Sequence, residues 1–100
     1  MVVITILSED IKVEGKLVTG KNVIIDKNVG IKGNVIIGDG CYIGESSVIE
    51  NSIIFENTLI KESTTIINSI IGKDVLVGGN CRLENSTIAD KSKIYDFTKI

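Results

Sequence analysis

The chain has 100 residues, eleven Lys and Arg against thirteen Asp and Glu, a formal net charge of −2, and no His. A charge this balanced and mixed gives no basis for binding nucleic acid or an anionic membrane surface, and the missing His removes the side chain most used for proton transfer and metal ligation near neutral pH. The apolar start, residues 1–7, lacks a basic flank and is too short for a secretory signal or a membrane span, so a cytoplasmic setting is expected.

In chain order, residues 1–6 alternate like a strand and read as a lead-in or cap over the open edge of whatever follows, since uncovered edges aggregate. From Leu7 onward aliphatic residues recur as on a ruler: Leu7, Val13, Thr19, Ile25, Ile31, Ile37, Ile43, Ile49, Ile54, Ile60, Ile66, Ile71, Val77, Leu83, Ile88, Ile94 and Ile100. Sixteen of these seventeen are Ile, Val or Leu, with Thr19 the exception; chance placement in this composition would give about six. The steps are sixes, with fives at Ile49 to Ile54, Ile66 to Ile71 and Leu83 to Ile88. The short steps enclose Glu50-Asn51-Ser52, Ile67-Asn68-Ser69 and Glu84-Asn85-Ser86. A second period therefore overlies the first: 49 − 31 gives 18 early in the chain, and 66 − 49 and 83 − 66 give 17 later.

Neither an amphipathic helix nor a hairpin sheet fits. A helix needs apolar residues three and four apart, and Gly, Asn, Asp and Ser interrupt every segment. A hairpin sheet needs turns that reverse the chain, whereas here turn residues follow runs of only two to four strand-like residues. Three short parallel strands per turn remain, each stacked on the next coil about 4.8 Å away. The expected fold is all-β: a single-stranded parallel β-helix over residues 7–100, about five triangular coils of 17–18 residues. No coil buries enough apolar surface to offset its own ordering, so stability must come from contacts between neighbouring coils.

Corners between parallel strands need residues that tolerate a left-handed backbone. Asn22, Asn28, Asn34, Gly40, Asn57, Asp74 and Asn80 lie three residues after ruler positions, and Asn51, Asn68 and Asn85 fill the short corners. The residue two before each ruler position should also point inward; that column includes Val23, Val29, Val35, Ser47, Thr58, Thr64 and Val75 as well as Cys41 and Cys81. The two Cys lie about two coils apart on different sides, too far for a disulfide, and buried free thiols fit a reducing compartment.

The residue just before each ruler position should point outward. One side of the triangle then carries Lys12, Gly30, Val48, Thr65, Arg82 and Lys99, a mixed, solvated column. A second carries Val18, Ile36, Ile53 and Ile70, then Thr87. The third carries Ile24, Tyr42, Leu59 and Leu76, then Lys93. Two outer faces thus bear apolar stripes of four residues; strands favour Ile and Val wherever they lie, but both stripes turn polar near the same end, which points to a partner surface. These eight residues are the candidate interface.

The segments Ile37-Gly38-Asp39-Gly40-Cys41-Tyr42, Ile43-Gly44-Glu45-Ser46-Ser47-Val48 and Ile71-Gly72-Lys73-Asp74-Val75-Leu76 resemble the hexapeptide-repeat, left-handed parallel β-helix family. The resemblance covers nearly the whole chain, and left-handedness is what it implies, because β-crossovers are otherwise almost always right-handed. The runs Glu50-Asn51-Ser52-Ile53-Ile54 and Asn68-Ser69-Ile70-Ile71-Gly72 resemble, more narrowly, the C-terminal β-helix domain of sugar-phosphate nucleotidylyltransferases.

Most of what the family's activities require is missing. Its acyltransferases generally use a His base and its γ-type carbonic anhydrases bind zinc through three His, and this chain has none. The nucleotide-binding Gly-rich loop of a nucleotidylyltransferase is not seen ahead of residue 13. Gly38-Asp39-Gly40-Cys41-Tyr42-Ile43-Gly44 misses the dinucleotide-loop spacing and no helix follows, so these are corner glycines. Glu50 and Glu84 fall on one corner two coils apart, too distant for an acid–base pair. No catalytic, cofactor or metal residue is therefore assigned. The expectation is a non-catalytic β-helix module that self-associates, with a trimer favoured, or packs against a nucleotidylyltransferase catalytic domain. The alternative is an acyltransferase working without a His base, in which a cleft between subunits brings Tyr42 or Lys residues to an acyl donor.

Overall fold

The structure, a computed structural model, describes residues 6–100, with side chains from Leu7 onward. The expected lead-in or cap over residues 1–6 lies outside the described residues except at Ile6, where the first strand begins. Fourteen strands, β1 to β14 in chain order, are the regular elements of the described residues, every pairing between them is parallel, and the path is a stack of about five coils.

Each coil has three faces. Face 1 stacks β1 (Ile6–Leu7), β3 (Ile24–Ile25), β5 (Tyr42–Ile43), β8 (Leu59–Ile60), β11 (Leu76–Val77) and β14 (Lys93–Ile94) in that order. Two long strands, β2 (Lys12–Thr19) and β4 (Gly30–Ile37), run through a corner, so their halves belong to different faces. Face 2 takes their first halves with β6 (Val48–Glu50), β9 (Thr65–Ile67) and β12 (Arg82–Glu84). Face 3 takes their second halves with β7 (Ile53–Ile54), β10 (Ile70–Ile71) and β13 (Thr87–Ile88).

The register follows the ruler. Ile24 pairs with Tyr42, a step of 18, while Tyr42 pairs with Leu59 and Leu59 with Leu76, steps of 17. The coil shortens by one residue from the first Asn-Ser corner, Asn51-Ser52, onward: Gly30 pairs with Val48 just before it, and Ile36 with Ile53 just after. Ruler residues from Ile25 to Ile88 are all buried and form the core, whereas Leu7, Val13 and Ile100 at the two ends are exposed.

Corners turn on single residues with positive φ. Asn22, Asn28, Asn57, Asp74 and Asn80 take it as expected, and Asn51, Asn68 and Asn85 do so at φ 45–51°. Asn34 does not. Gly33 turns the chain there at φ 66°, two residues after the ruler, the same place at which Asn51, Asn68 and Asn85 turn the later corners between faces 2 and 3, and glycine takes that backbone cheaply. Ser46, Ser63, Lys91 and Phe97 also hold positive φ; spacing within the coil fixes those corners, and residue type does not announce them.

Ser47, Thr58 and Thr64 of the second inward column are buried, with donor and acceptor both used. Ser47 Oγ donates to the Lys61 carbonyl at 3.0 Å and accepts from the Thr64 N–H at 3.1 Å. Thr64 Oγ1 repeats this one coil on, donating to the Gly78 carbonyl at 2.7 Å and accepting from the Cys81 N–H at 3.2 Å. Thr58 Oγ1 does the same between Gly72 and Val75. Each hydroxyl is a rivet between coils. Thr64→Val keeps the shape and leaves a buried N–H without its partner, so it is expected to cost about 1–3 kcal/mol, read as a lower midpoint in chemical denaturation; an unchanged midpoint would mean the rivet carries no stability. Both Cys are buried and free. The Cys41 thiol donates to the Phe55 carbonyl at 3.0 Å, and burial pushes its pKa up.

Candidate interaction surface

A strand points alternate side chains to opposite faces, so burying the ruler residue of each pair forces the residue before it outward. On face 3 this column is Val18, Ile36, Ile53 and Ile70, each paired with the next in register, followed by Thr87. Val18, Ile36 and Ile70 expose 48%, 47% and 43% of their surface, and Ile53 is half-buried. On face 1 the column is Ile24, Tyr42, Leu59 and Leu76, again paired in sequence, followed by Lys93. Ile24 and Leu59 are exposed, while Tyr42 and Leu76 are half-buried. All eight residues singled out in the sequence therefore stand outward, in two continuous stripes.

The two striped faces share an edge, and one residue on it escapes the sequence reading. The position after each face 3 ruler residue is Gly20, Gly38, Phe55, Gly72 and Ala89. Four of these have no side chain beyond Cβ, and Phe55 alone presents a ring, 39% exposed, two residues after Ile53 and between the stripes. The signal was available: Phe55 is the one bulky member of a Gly/Ala column.

Tyr42 brings a polar tip to face 1, and the fold satisfies it. Its hydroxyl donates to Asp26 Oδ2 at 2.7 Å, at the corner one coil earlier, and Asp26 Oδ1 accepts from the Lys27 N–H at 2.7 Å. The Tyr42 hydroxyl first and the Lys27 N–H second hold the Asp26 carboxyl below the usual carboxylate range, while the Asp26 bond raises the Tyr42 phenol above its ordinary value. A depressed carboxyl stabilises the fold above its unfolded pKa, and that contribution is lost as pH falls through its folded value; the raised phenol contributes below its ordinary pKa and loses this as pH rises through the folded one. Tyr42→Phe is expected to move the Asp26 titration midpoint up toward the ordinary range, as followed by NMR. A midpoint that stays put would mean the bond is not formed in solution.

The two carboxylates weighed as an acid–base pair stay apart. Glu50 and Glu84 occupy one column with Ile67 between them, two strand spacings or about 9–10 Å apart. The ion pairs Lys27–Glu45, Lys73–Glu56 and Arg82–Glu84 are exposed and add little stability. Gly38 and Gly44 sit where an added Cβ would meet the next coil's backbone at 2.9 and 2.6 Å, and Gly40 holds φ 72°, so this Gly-rich run forms corners. Among the described residues no group of three His, Cys, Asp or Glu is placed to hold a metal ion, and no helix is long and apolar enough to cross a membrane.

Among solved structures, the chain is similar to the acetyltransferase domain of PglB from Neisseria gonorrhoeae FA1090, with a TM-score of 0.88 at 13% identity, covering 95% of this chain and 48% of that one. It is also similar to the hexapeptide-repeat-containing acetyltransferase VCA0836 from Vibrio cholerae O1 biovar eltor, solved with acetyl coenzyme A, with a TM-score of 0.84 at 16% identity over 91% of this chain and 62% of that one. At such identities the likeness is one of fold, and this chain spans about half to three-fifths of those proteins' length. No curated protein matches the chain. A family model described as the GMPPB C-terminal domain matches residues 13–99, in line with the nucleotidylyltransferase C-terminal resemblance of the Asn-Ser corners. That match covers most of the ruler and all three corner columns, and the chain belongs to the GMPPB C-terminal domain family.

Proposed function

We propose that this chain is a non-catalytic assembly module of a nucleotidylyltransferase-type protein, and that its two apolar faces are where assembly occurs. The observation that carries the proposal is the pair of in-register stripes flanking one edge, with Phe55 on that edge. Apolar surface this continuous is costly to leave in water and marks a contact site. Because the stripes lie on different faces, a two-fold contact covers only one of them. A contact of face 1 on one copy with face 3 on the next uses both stripes and makes a ring where its rotation closes, and three triangular copies presenting the Phe55 edge to a common axis, in contact along the parts of the faces nearest it, are the arrangement we favour. A catalytic domain outside this chain is the other occupant such a surface suits. Buried free Cys41 and Cys81 support a reducing, cytoplasmic setting.

The rival reading, acyl transfer, draws support from the acetyltransferase neighbours, one of them solved with acetyl coenzyme A. The chain has no His to act as base, and an acyltransferase would need some other group near the acyl acceptor. Titrating the chain with acetyl coenzyme A by calorimetry separates the two. The module reading expects no saturable binding in the micromolar range, and saturable binding there would overturn the non-catalytic assignment.

A further inference from the structure

We propose that the hollow on face 2 floored by Gly30 is a binding site for a small, uncharged polyhydroxylated ligand of the monosaccharide kind. The argument starts from the glycine. Of the ten glycines, the other nine either hold a positive φ or would drive an added Cβ to within 3.1 Å of a neighbouring atom. Gly30 does neither: its φ is ordinary, and a Cβ there would meet only Val48 Cγ2, at 3.7 Å. Gly30 opens β4, and a glycine in a strand position brings no side chain to pack. The fold does not require one here, and a strand glycine without a structural reason marks a place where something approaches the backbone closely.

Gly30 sits in β4 between Lys12 of β2 and Val48 of β6, its partners in register. The resulting hollow, about 380 Å³, is bounded by Asp10, Lys12, Asn28 and Val48, with buried Val29 beneath; its size suits a small ligand. Among the described residues, the side chains of Asp10, Lys12 and Asn28 make no hydrogen bond or ion pair within the chain. Three other corner carboxylates are used: Asp39, Asp90 and Asp96 accept from the Lys21, Lys73 and Gly79 N–H groups. Around Gly30 a carboxylate that accepts, an ammonium that donates and a carboxamide that does both surround a floor of bare backbone and valine methyls. Adjacent hydroxyls fit the polar rim, and the C–H face of a sugar ring fits the floor. The opposite charges of Asp10 and Lys12 cancel, which favours a neutral ligand over an anion.

This site lies off the two stripes and stands or falls apart from the assembly reading. The test is an NMR titration of the intact chain with a panel of free hexoses, and with inorganic phosphate as the anionic comparison. Saturable amide shifts with at least one hexose are expected at residues 10–12, 28–30 and 48, and none there with phosphate. Gly30→Val fills the hollow and should weaken that binding by about tenfold or more, while its melting temperature stays equal or rises, because valine suits a strand better than glycine. Asp10→Asn, at an exposed corner, should weaken binding without changing the fold. No saturable shift with any hexose, shifts that survive Gly30→Val, or saturation by phosphate instead would overturn the assignment. So would a Gly30→Val chain that melts lower than the parent, since the glycine would then be structural.

Discussion

Ile60→Asp is expected to unfold the chain, whereas Ile100→Asp should leave its melting temperature within a few degrees of the parent. Ile60 is fully buried in β8, paired in register with Ile43 on the coil before and Val77 on the coil after. An aspartate there either stays ionised without a partner or is protonated at a cost, and burying an unpaired polar or charged group costs several kcal/mol. A domain this size has about 5–15 kcal/mol in total. Because each coil is stabilised chiefly by its neighbours, damage in mid-stack removes two interfaces at once. Ile100 is 56% exposed at the last coil and loses little when charged. Circular dichroism melts of the two variants decide the matter: an Ile60→Asp chain that melts like its parent would mean the coil register is wrong.

The second large effect is on association. Ile70 and Leu59 point outward from faces 3 and 1 and are 43% and 39% exposed in the single chain, so Ile70→Asp with Leu59→Asp should change the fold's stability by no more than about 1 kcal/mol. In an assembly that covers both stripes, the two carboxylates are forced into an apolar contact. Central anchors of this kind contribute at least about 2 kcal/mol each, so the dissociation constant should rise by a hundredfold or more. Thr65→Asp, on face 2, is the matched control and should leave association unchanged. A double variant that associates as the parent does, or a control that disrupts it equally, would place the contact elsewhere.

The architecture was legible because the ruler and the coil are one periodicity. Once Ile49 to Ile54 is seen to be a five-residue step, the 18-to-17 change follows, and with it every outward column, including the pairs Ile36 with Ile53 and Tyr42 with Leu59. Corners were legible where residue type and position agree, as at Asn57 and Asn80, and illegible where position alone decides: Phe97 turns the chain at φ 65° with nothing in its type to say so. Gly33 displaced Asn34 because corners between faces 2 and 3 turn two residues after the ruler, as Asn51, Asn68 and Asn85 also do, whereas Asn34 stands three after it. Phe55 and Gly30 escaped for a different reason. Each is conspicuous only against its column, a ring among glycines or a bare position among longer side chains, and the columns become neighbours in space only when the coils are stacked. The Tyr42–Asp26 bond joins residues sixteen apart, a separation at which pattern reading carries no side-chain geometry.

The most direct measurement is sedimentation equilibrium of the 100-residue chain over a wide concentration range, with the Ile70→Asp, Leu59→Asp variant run alongside. The assembly reading expects the parent to approach three times its 10.8 kDa chain mass and the variant to remain at the mass of one chain. A parent that stays at one chain mass at the highest concentration would contradict self-association and leave the two stripes to a partner outside this chain.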